Sequence, residues 1–194
     1  MREVVTERSL LNVAGSFYML PRNNSGGVRA LKPVATHNKR ICDFCSWRGM
    51  LVIAGINVDA DPGHPHFIRS DDGETGLWFG DFDDIWKLGK PRGVGGPWRD
   101  TAVTAGEASD PYLMTGYDRK RVQISHNADS AVTFALEIDI FGAIDTPETW
   151  FTYAELTVPA GESVIHEFPE GFAAHWIRLR TDADCTATAV FTYE

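Results

Sequence analysis

The residues best suited to bind or transform a ligand lie in one glycine-rich segment, HPHFIRSDDGETGLWFGDFDDIWKLGKPRGVGGPWRD, which runs from His64 to Asp100. Histidines, carboxylates and tryptophans are mixed there with turn residues and follow no helical period. Flat aromatic rings can stack on sugar rings, carboxylates accept hydrogen bonds from hydroxyls, and loops on a rigid scaffold commonly carry such groups. The segment therefore predicts a ligand site, whose candidate residues are His64, His66, Arg69, Asp72, Trp78, Asp83, Trp86 and Trp98.

The polar side chains of this segment leave acid–base chemistry open. His64 and His66 are two residues apart and would share one face of a strand, as ligands or as an acid–base pair; a solvated His-Pro-His turn is the simpler alternative. Asp81, Asp83 and Asp84 offer oxygen ligands, but the glycine and distal glutamate of an EF-hand loop are missing. A glycosidase needs two carboxylates facing each other, and sequence does not measure their separation. We expect no metal and no cofactor, and we assign no catalytic residue.

The tryptophans give a clearer indication of binding. Trp47, Trp78, Trp86 and Trp98 are close in sequence and are flanked by Gly, Asp and Lys, whereas the two later tryptophans lie on strands with a core pattern. A large core can also use several indoles, each of which needs a partner for its N–H group. The flanking residues predict that at least one of the four is half exposed and stacks on a ligand.

The cysteines indicate neither a disulfide framework nor a metal site. Cys42, Cys45 and Cys185 are an odd number, and the first two form a single CxxC inside RICDFCSWRGMLVIAG, which we interpret as one strand. Residues three apart on a strand point to opposite faces, and their Cα atoms are roughly 10 Å apart at about 3.3 Å per residue. That spacing exceeds the reach of a disulfide and suits a shared metal poorly.

Composition excludes several partners. The net charge is −9 and the pI is about 5.1, which disfavours nucleic acid and anionic membrane surfaces because both require a basic face. No run of 18 apolar residues is present, the first residues lack the apolar core of a signal peptide, and the cellular location stays open. The sequence also contains no nucleophile elbow, P-loop or dinucleotide fingerprint. The partner we expect is a small molecule or an oligosaccharide; an oligomer or a larger parent chain remains open.

Strand patterning dominates and predicts an all-β protein of antiparallel sheets, β-sandwich-like, with a loop-rich N-terminal β region. In the first part we predict strands at Ser16–Leu20, Gly27–Pro33, Ile41–Ile56 and Gly76–Phe82, and one short helical turn at Asp84–Leu88.

In the second part, alternation of apolar and polar residues predicts six strands of a sandwich, near 121–125, 132–140, 150–158, 164–168, 176–180 and 185–193. The predicted core residues are Val132, Phe134, Leu136, Ile138, Leu156, Ile177, Leu179, Ala187 and Phe191. Because residues 104–112 are small, polar and proline-bearing, we expect a loop-rich region at 1–111 that carries the site and a sandwich at 112–194, which could pack as one unit.

One hairpin resembles a known motif. Ser70-Asp71-Asp72-Gly73-Glu74-Thr75-Gly76-Leu77-Trp78 resembles the Asp-box hairpin of sialidase-like propellers, with one extra residue before Trp78. In that family the Ser and Asp stabilise a tight turn, the aromatic residue fills the space between blades, and the motif carries no catalysis. The resemblance implies the closing portion of a bacterial glycan-active β-propeller protein followed by a β-sandwich.

Three hypotheses about function follow from the sequence. The first is a carbohydrate-related binding or accessory module of a bacterial glycan-processing system. The second is a glycoside hydrolase or lyase that uses a histidine and an aspartate of residues 64–84. The third is a structural assembly domain without a ligand. Histidines and carboxylates converging in one pocket would favour catalysis, whereas a flat, tryptophan-lined surface would favour binding.

Overall fold

A computed structural model of the protein describes residues 2–5, 8–21, 26–55 and 63–194. Contacts divide the chain into two units, Met1–Pro91 and Arg92–Glu194. Antiparallel sheets make up both units, and the helical residues of the described part form short 3-10 helices at Gly27–Ala30, Phe82–Lys87 and Pro147–Thr149. The prediction of an all-β protein is confirmed. No helix in these ranges has the length and apolar character needed to cross a bilayer.

The first unit contains two four-stranded antiparallel sheets. Its strands are β1 (Arg2–Val5), β2 (Arg8–Val13), β3 (Ser16–Leu20), β4 (Lys32–Thr36), β5 (Asp43–Trp47), β6 (Met50–Ala54), β7 (Phe67–Arg69) and β8 (Gly76–Gly80). They pair in the orders β1-β2-β3-β4 and β5-β6-β8-β7. Both sheets contribute to one core, in which Phe17 of β3 meets Phe44 of β5 with ring centroids 5.7 Å apart.

The second unit is an eight-stranded sandwich. Its strands are β9 (Gly93–Val103), β10 (Tyr112–Leu113), β11 (Lys120–His126), β12 (Val132–Asp139), β13 (Trp150–Val158), β14 (Ser163–Glu167), β15 (Trp176–Thr181) and β16 (Cys185–Tyr193). The two sheets have the orders β10-β15-β12-β13 and β14-β11-β16-β9. Except at the β12–β13 hairpin, each strand is followed by one in the other sheet, which is the connectivity of a jelly roll.

The predicted core of the sandwich is confirmed. Seven of its members are buried in one cluster: Val132, Phe134, Leu136, Ile177, Leu179, Ala187 and Phe191. Ile138 and Leu156 are partly buried and pack against that cluster. The period-two pattern was sufficient to predict these core residues because each of the strands has one face in the core and one in solvent.

Three strand predictions in the first unit need correction. The single strand over Ile41–Ile56 is a hairpin of β5 and β6, and Ile56 lies outside the described residues. Arg48 and Gly49 have φ values of 50° and 82°, so the two-residue turn between the strands has both residues left-handed. Part of Gly27–Pro33 is a 3-10 helix before β4, and β8 ends at Gly80, before the 3-10 helix that begins at Phe82.

The sequence reading also missed β9, and this moves the boundary between the units. The structure divides the chain after Pro91 instead of after residue 111, since β9 pairs with β16 along nearly its whole length. Three glycines and a proline gave β9 the composition of a loop. The close packing explains one of them: a Cβ on Gly96 would lie 1.8 Å from the Ala189 carbonyl oxygen.

Candidate functional site

The structure does not bring all eight predicted site residues together, and Trp98 is the clearest exception. Trp98 belongs to β9, is 6% exposed and packs in the core of the second unit. Its ring centroid lies 6.3 Å from that of Phe134. The indole of Trp98 is therefore a structural element of the sandwich and does not form a ligand surface.

Asp72 shapes the turn between β7 and β8. Its Oδ1 accepts hydrogen bonds from the Ser70 hydroxyl at 2.5 Å and from the Glu74 N–H at 3.0 Å. Both bonds lower the pKa of Asp72 below its usual value, and the bond from Ser70 has the larger effect. Arg69 ends β7 on the other side of the same turn, where it pairs with Gly76. The immediate role of Asp72 is therefore to close a hairpin.

His64, His66 and Trp78 do come together, as a packed group of rings. The rings of His66 and Trp78 stack with centroids 5.1 Å apart, and His64 stacks on Phe67 at 4.4 Å. The His66 Nδ1 lies 2.6 Å from the Phe79 carbonyl oxygen, which can only accept, so Nδ1 carries the proton. Trp78 is only 9% exposed, which leaves its indole little surface for a ligand.

The remaining candidates, Asp83 and Trp86, lie on the 3-10 helix Phe82–Lys87. Phe82 and Ile85 anchor this helix in the core of the first unit, where they are 5% and 0% exposed. Asp83 is exposed on the same short element. The helix therefore presents a carboxylate and an indole from a fixed base.

Asp84, which the sequence reading did not select, stabilises the start of that helix. Its Oδ2 accepts from the Asp81 N–H at 2.8 Å, and its Oδ1 accepts from the Lys87 ammonium at 2.7 Å. The Lys87 hydrogen bond is the main cause that lowers the pKa of Asp84, and the nearby His66 lowers it slightly further. The same pair raises the pKa of Lys87. A carboxylate three residues after the N-cap residue is a recognised capping pattern, so the capping role of Asp84 could have been predicted from the sequence.

Two tryptophans of the first unit are half exposed, and they differ in their surroundings. Trp47, at the end of β5, is 51% exposed, and its ring already meets the Arg48 guanidinium at 4.8 Å and the edge of Phe79 at 6.2 Å. Trp86 is 52% exposed and makes no ring contact or hydrogen bond with any described residue. Of the tryptophans selected from the sequence, Trp86 is the one whose indole is open to a ligand.

The histidines and carboxylates of the first unit are poorly arranged for acid–base catalysis. The His66 Nδ1 faces a backbone carbonyl instead of a carboxylate, and Asp84 is occupied by Lys87 and the Asp81 N–H. Cys42 and Cys45 are exposed free thiols. Within the described ranges, no three His, Cys, Asp or Glu side chains are grouped so as to hold a metal ion.

The second unit carries polar groups that the sequence reading missed. On the outer face of the sheet β10-β15-β12-β13, Glu137 accepts from Arg178 at 2.5 Å and from Arg180 at 2.9 Å. The Arg178 guanidinium also lies 4.2 Å from the ring centroid of Trp150. The available signal was the polar half of the period-two pattern, since these residues alternate with the core positions of β12 and β15.

Comparisons with known proteins add little. No protein-family profile matches the sequence, and no curated protein matches it. A solved structure described as "Crystal structure of PirA" is similar over 52% of this chain and 95% of its own, with 14% identity and a TM-score of 0.34. A likeness at this TM-score carries no argument about function.

Proposed function

We propose that this protein is a carbohydrate-binding or accessory module and that Trp86 is its main contact with the sugar. The observation that carries the proposal is the half-exposed indole of Trp86, which has no partner among the described residues, on a helix anchored by two buried residues. An aromatic face fixed in this way supplies contact area at a low cost in conformational entropy. It is the arrangement expected of a stacking platform.

Charged neighbours on the same helix complement the indole. Asp83 can accept hydrogen bonds from sugar hydroxyls, and Lys87, whose side chain is 79% exposed, can donate them. Because both signs of charge are present, we expect a neutral or weakly charged ligand. The bacterial glycan-processing context and the Asp-box resemblance of the Ser70–Trp78 hairpin remain proposals of the same kind.

A glycan array followed by titration of the bound oligosaccharide tests this proposal. We expect Trp86→Ala to weaken binding at least tenfold without lowering the melting temperature, because the indole loses no contact with another ring and no hydrogen bond in the part of the chain that the structure describes. Trp47→Ala is the matched control, since Trp47 is equally exposed but its ring is already occupied by Arg48. Asp83→Asn should weaken binding less. Undiminished affinity in folded Trp86→Ala, Asp83→Ala and His66→Ala proteins would place the site elsewhere.

An assembly role is the second candidate, and one observation favours it. Ile68 and Leu77 are directly opposite each other on β7 and β8 and are 58% and 39% exposed. With Trp47 they leave apolar side chains on the outer face of the sheet β5-β6-β8-β7. Sedimentation of the wild type and of Leu77→Ser distinguishes this role: an assembly domain should self-associate in a Leu77-dependent way, whereas a binding module should remain monomeric with or without Leu77.

A further inference from the structure

A cleft of about 440 Å³ opens on the outer face of the sheet β14-β11-β16-β9, in the second unit. This volume is in the range of small-molecule sites. Its lining residues are Arg119, Lys120, Arg121, Glu167, Phe168, Glu170, Thr192 and Glu194, of which Lys120 and Phe168 have buried side chains. The remaining charged side chains are two guanidinium groups and three carboxylates, so both signs of charge are present at the cleft.

Two opposite charges face this cleft without partners. Arg121 on β11 lies directly opposite Glu167 on β14 and Thr192 on β16. Directly opposed residues of antiparallel strands place their side chains side by side on one face. Even so, neither the Arg121 guanidinium nor the Glu167 carboxylate makes an ion pair or a hydrogen bond with a described residue. Both groups are therefore available to a ligand.

Lys120, Arg119 and Glu170 already have partners. The Lys120 ammonium is buried and donates to the carbonyl oxygens of Tyr117 and Phe172 at 2.5 and 2.8 Å. Arg119 and Glu170 form an ion pair at 3.9 Å. The Phe168 N–H also donates to the Lys120 carbonyl oxygen at 2.9 Å, which ties the segment after β14 to β11. Recognition is left to Arg121, Glu167 and Thr192, which lie directly opposite one another on neighbouring strands, with the Glu194 side chain as a further carboxylate at the cleft.

We propose that this cleft binds a small zwitterion with a carboxylate and an ammonium group, the chemistry of a free amino acid. The Arg121 guanidinium receives the carboxylate, for which its planar fork is suited. The Glu167 carboxylate accepts from the ammonium, and the Thr192 hydroxyl donates to the second carboxylate oxygen. An anion alone would meet the repulsion of Glu167, and a cation alone that of Arg121. This site is separate from the proposed sugar platform, and neither depends on the other.

Titration of the full-length, ¹⁵N-labelled protein at low ionic strength tests the proposal with three probes: L-alanine, acetate and methylammonium. We expect L-alanine to shift the amide resonances of residues 119–121, 167, 168, 170 and 192, and to bind at least tenfold more tightly than either single-charge probe. Arg121→Gln and Glu167→Gln should each weaken L-alanine binding at least tenfold. Both side chains are exposed and unpartnered, so we expect these variants to fold normally.

Arg99→Gln and Glu155→Gln are the matched controls, because they make the same charge changes at exposed strand positions outside the cleft. They should leave L-alanine binding unchanged. If acetate bound as tightly as L-alanine, the cleft would be an anion site, and the proposal of a zwitterionic ligand would be wrong. Absence of any shift in the cleft resonances, or full binding by both cleft variants, would overturn the site.

Discussion

His166 on β14 is a titratable group held in an apolar environment. Its ring meets the edges of Tyr153 and Phe168, with centroids 5.7 and 4.9 Å away, and its buried Nε2 has no hydrogen-bond partner within the described residues. Burial lowers the pKa of His166 below the usual value of 6.5. Between the lowered value and 6.5, the unfolded chain therefore binds a proton that the folded chain does not. The contribution of His166 to the free energy of unfolding therefore falls as the pH drops below 6.5.

His166→Phe tests this linkage, because it keeps an aromatic ring against Tyr153 and Phe168 and removes the titration. We expect the melting temperature of the variant to fall less than that of the wild type when the pH is lowered from about 8 to about 5. Above pH 6.5 the difference between the two proteins should be constant. Parallel melting curves over the whole range would mean that His166 titrates as freely in the folded protein as in the unfolded one.

Residue types alone selected the tryptophans as a group but did not distinguish their roles. Trp78 and Trp98 are buried, Trp47 is half exposed with the Arg48 guanidinium over its ring, and Trp86 is half exposed without a ring contact among the described residues. Each indole has similar chemistry, so its role depends on which neighbours the fold supplies. The same holds for Asp72, whose carboxylate the Ser70 hydroxyl engages in a turn.

Of all the strands, β9 is the one that its own sequence predicts least well. Its glycines allow close approach to β16, whose register with β9 is irregular on both sides of Ala189. A side chain at Gly96 would collide with the Ala189 carbonyl oxygen, whereas a Cβ at Gly93 would come no closer than 3.6 Å to the Tyr117 hydroxyl. Replacing these two glycines of β9 by alanine should therefore affect stability differently.

Gly96→Ala should destabilise the second unit by about 1–3 kcal/mol or more, because backbone must move to admit the methyl group. Gly93→Ala is the control and should change stability by less than about 1 kcal/mol, as expected where contacts are ordinary. Denaturant unfolding monitored by a probe in the sandwich measures both. Equal effects of the two substitutions would show that the close contact at Gly96 is not what requires glycine there.

Strand β12 tests the register of the sandwich core. Phe134 is fully buried between the two sheets, and its neighbour Thr133 points to the opposite face. Phe134→Ala should cost about 3–5 kcal/mol of unfolding free energy. Thr133→Ala should stay within about 0.5 kcal/mol, the range of surface positions. A cost below about 1 kcal/mol for Phe134→Ala would place that ring outside the core and reverse the faces of the whole strand.

At the scale of the whole molecule, the boundary between the units is the feature to test. A fragment of residues 92–194 retains β9 and Trp98, and we expect it to fold alone and melt cooperatively, because each unit has its own core. A fragment of residues 112–194, which follows the boundary expected from the sequence, leaves β16 without its partner β9. Circular dichroism melts and dispersed NMR spectra should distinguish the two fragments.

Folding of the 112–194 fragment with the same stability as 92–194 would mean that β9 is an accessory strand. Failure of the 92–194 fragment to fold would instead mean that the sandwich requires residues before Arg92. Either result would contradict a division after Pro91.

The sequence by itself determined the all-β class, the sandwich core and the bounds of strands such as Trp150–Val158, because a period-two pattern is a local property of the chain. It did not determine β9, the exposure of each indole, or the cross-strand contacts of Glu137 and Arg121. Those depend on pairing between strands far apart in sequence and on close packing against particular atoms. Tertiary structure alone therefore decided that Trp86 is half exposed, that Trp98 is in the core, and that Arg121 lies directly opposite Glu167 on the neighbouring strand.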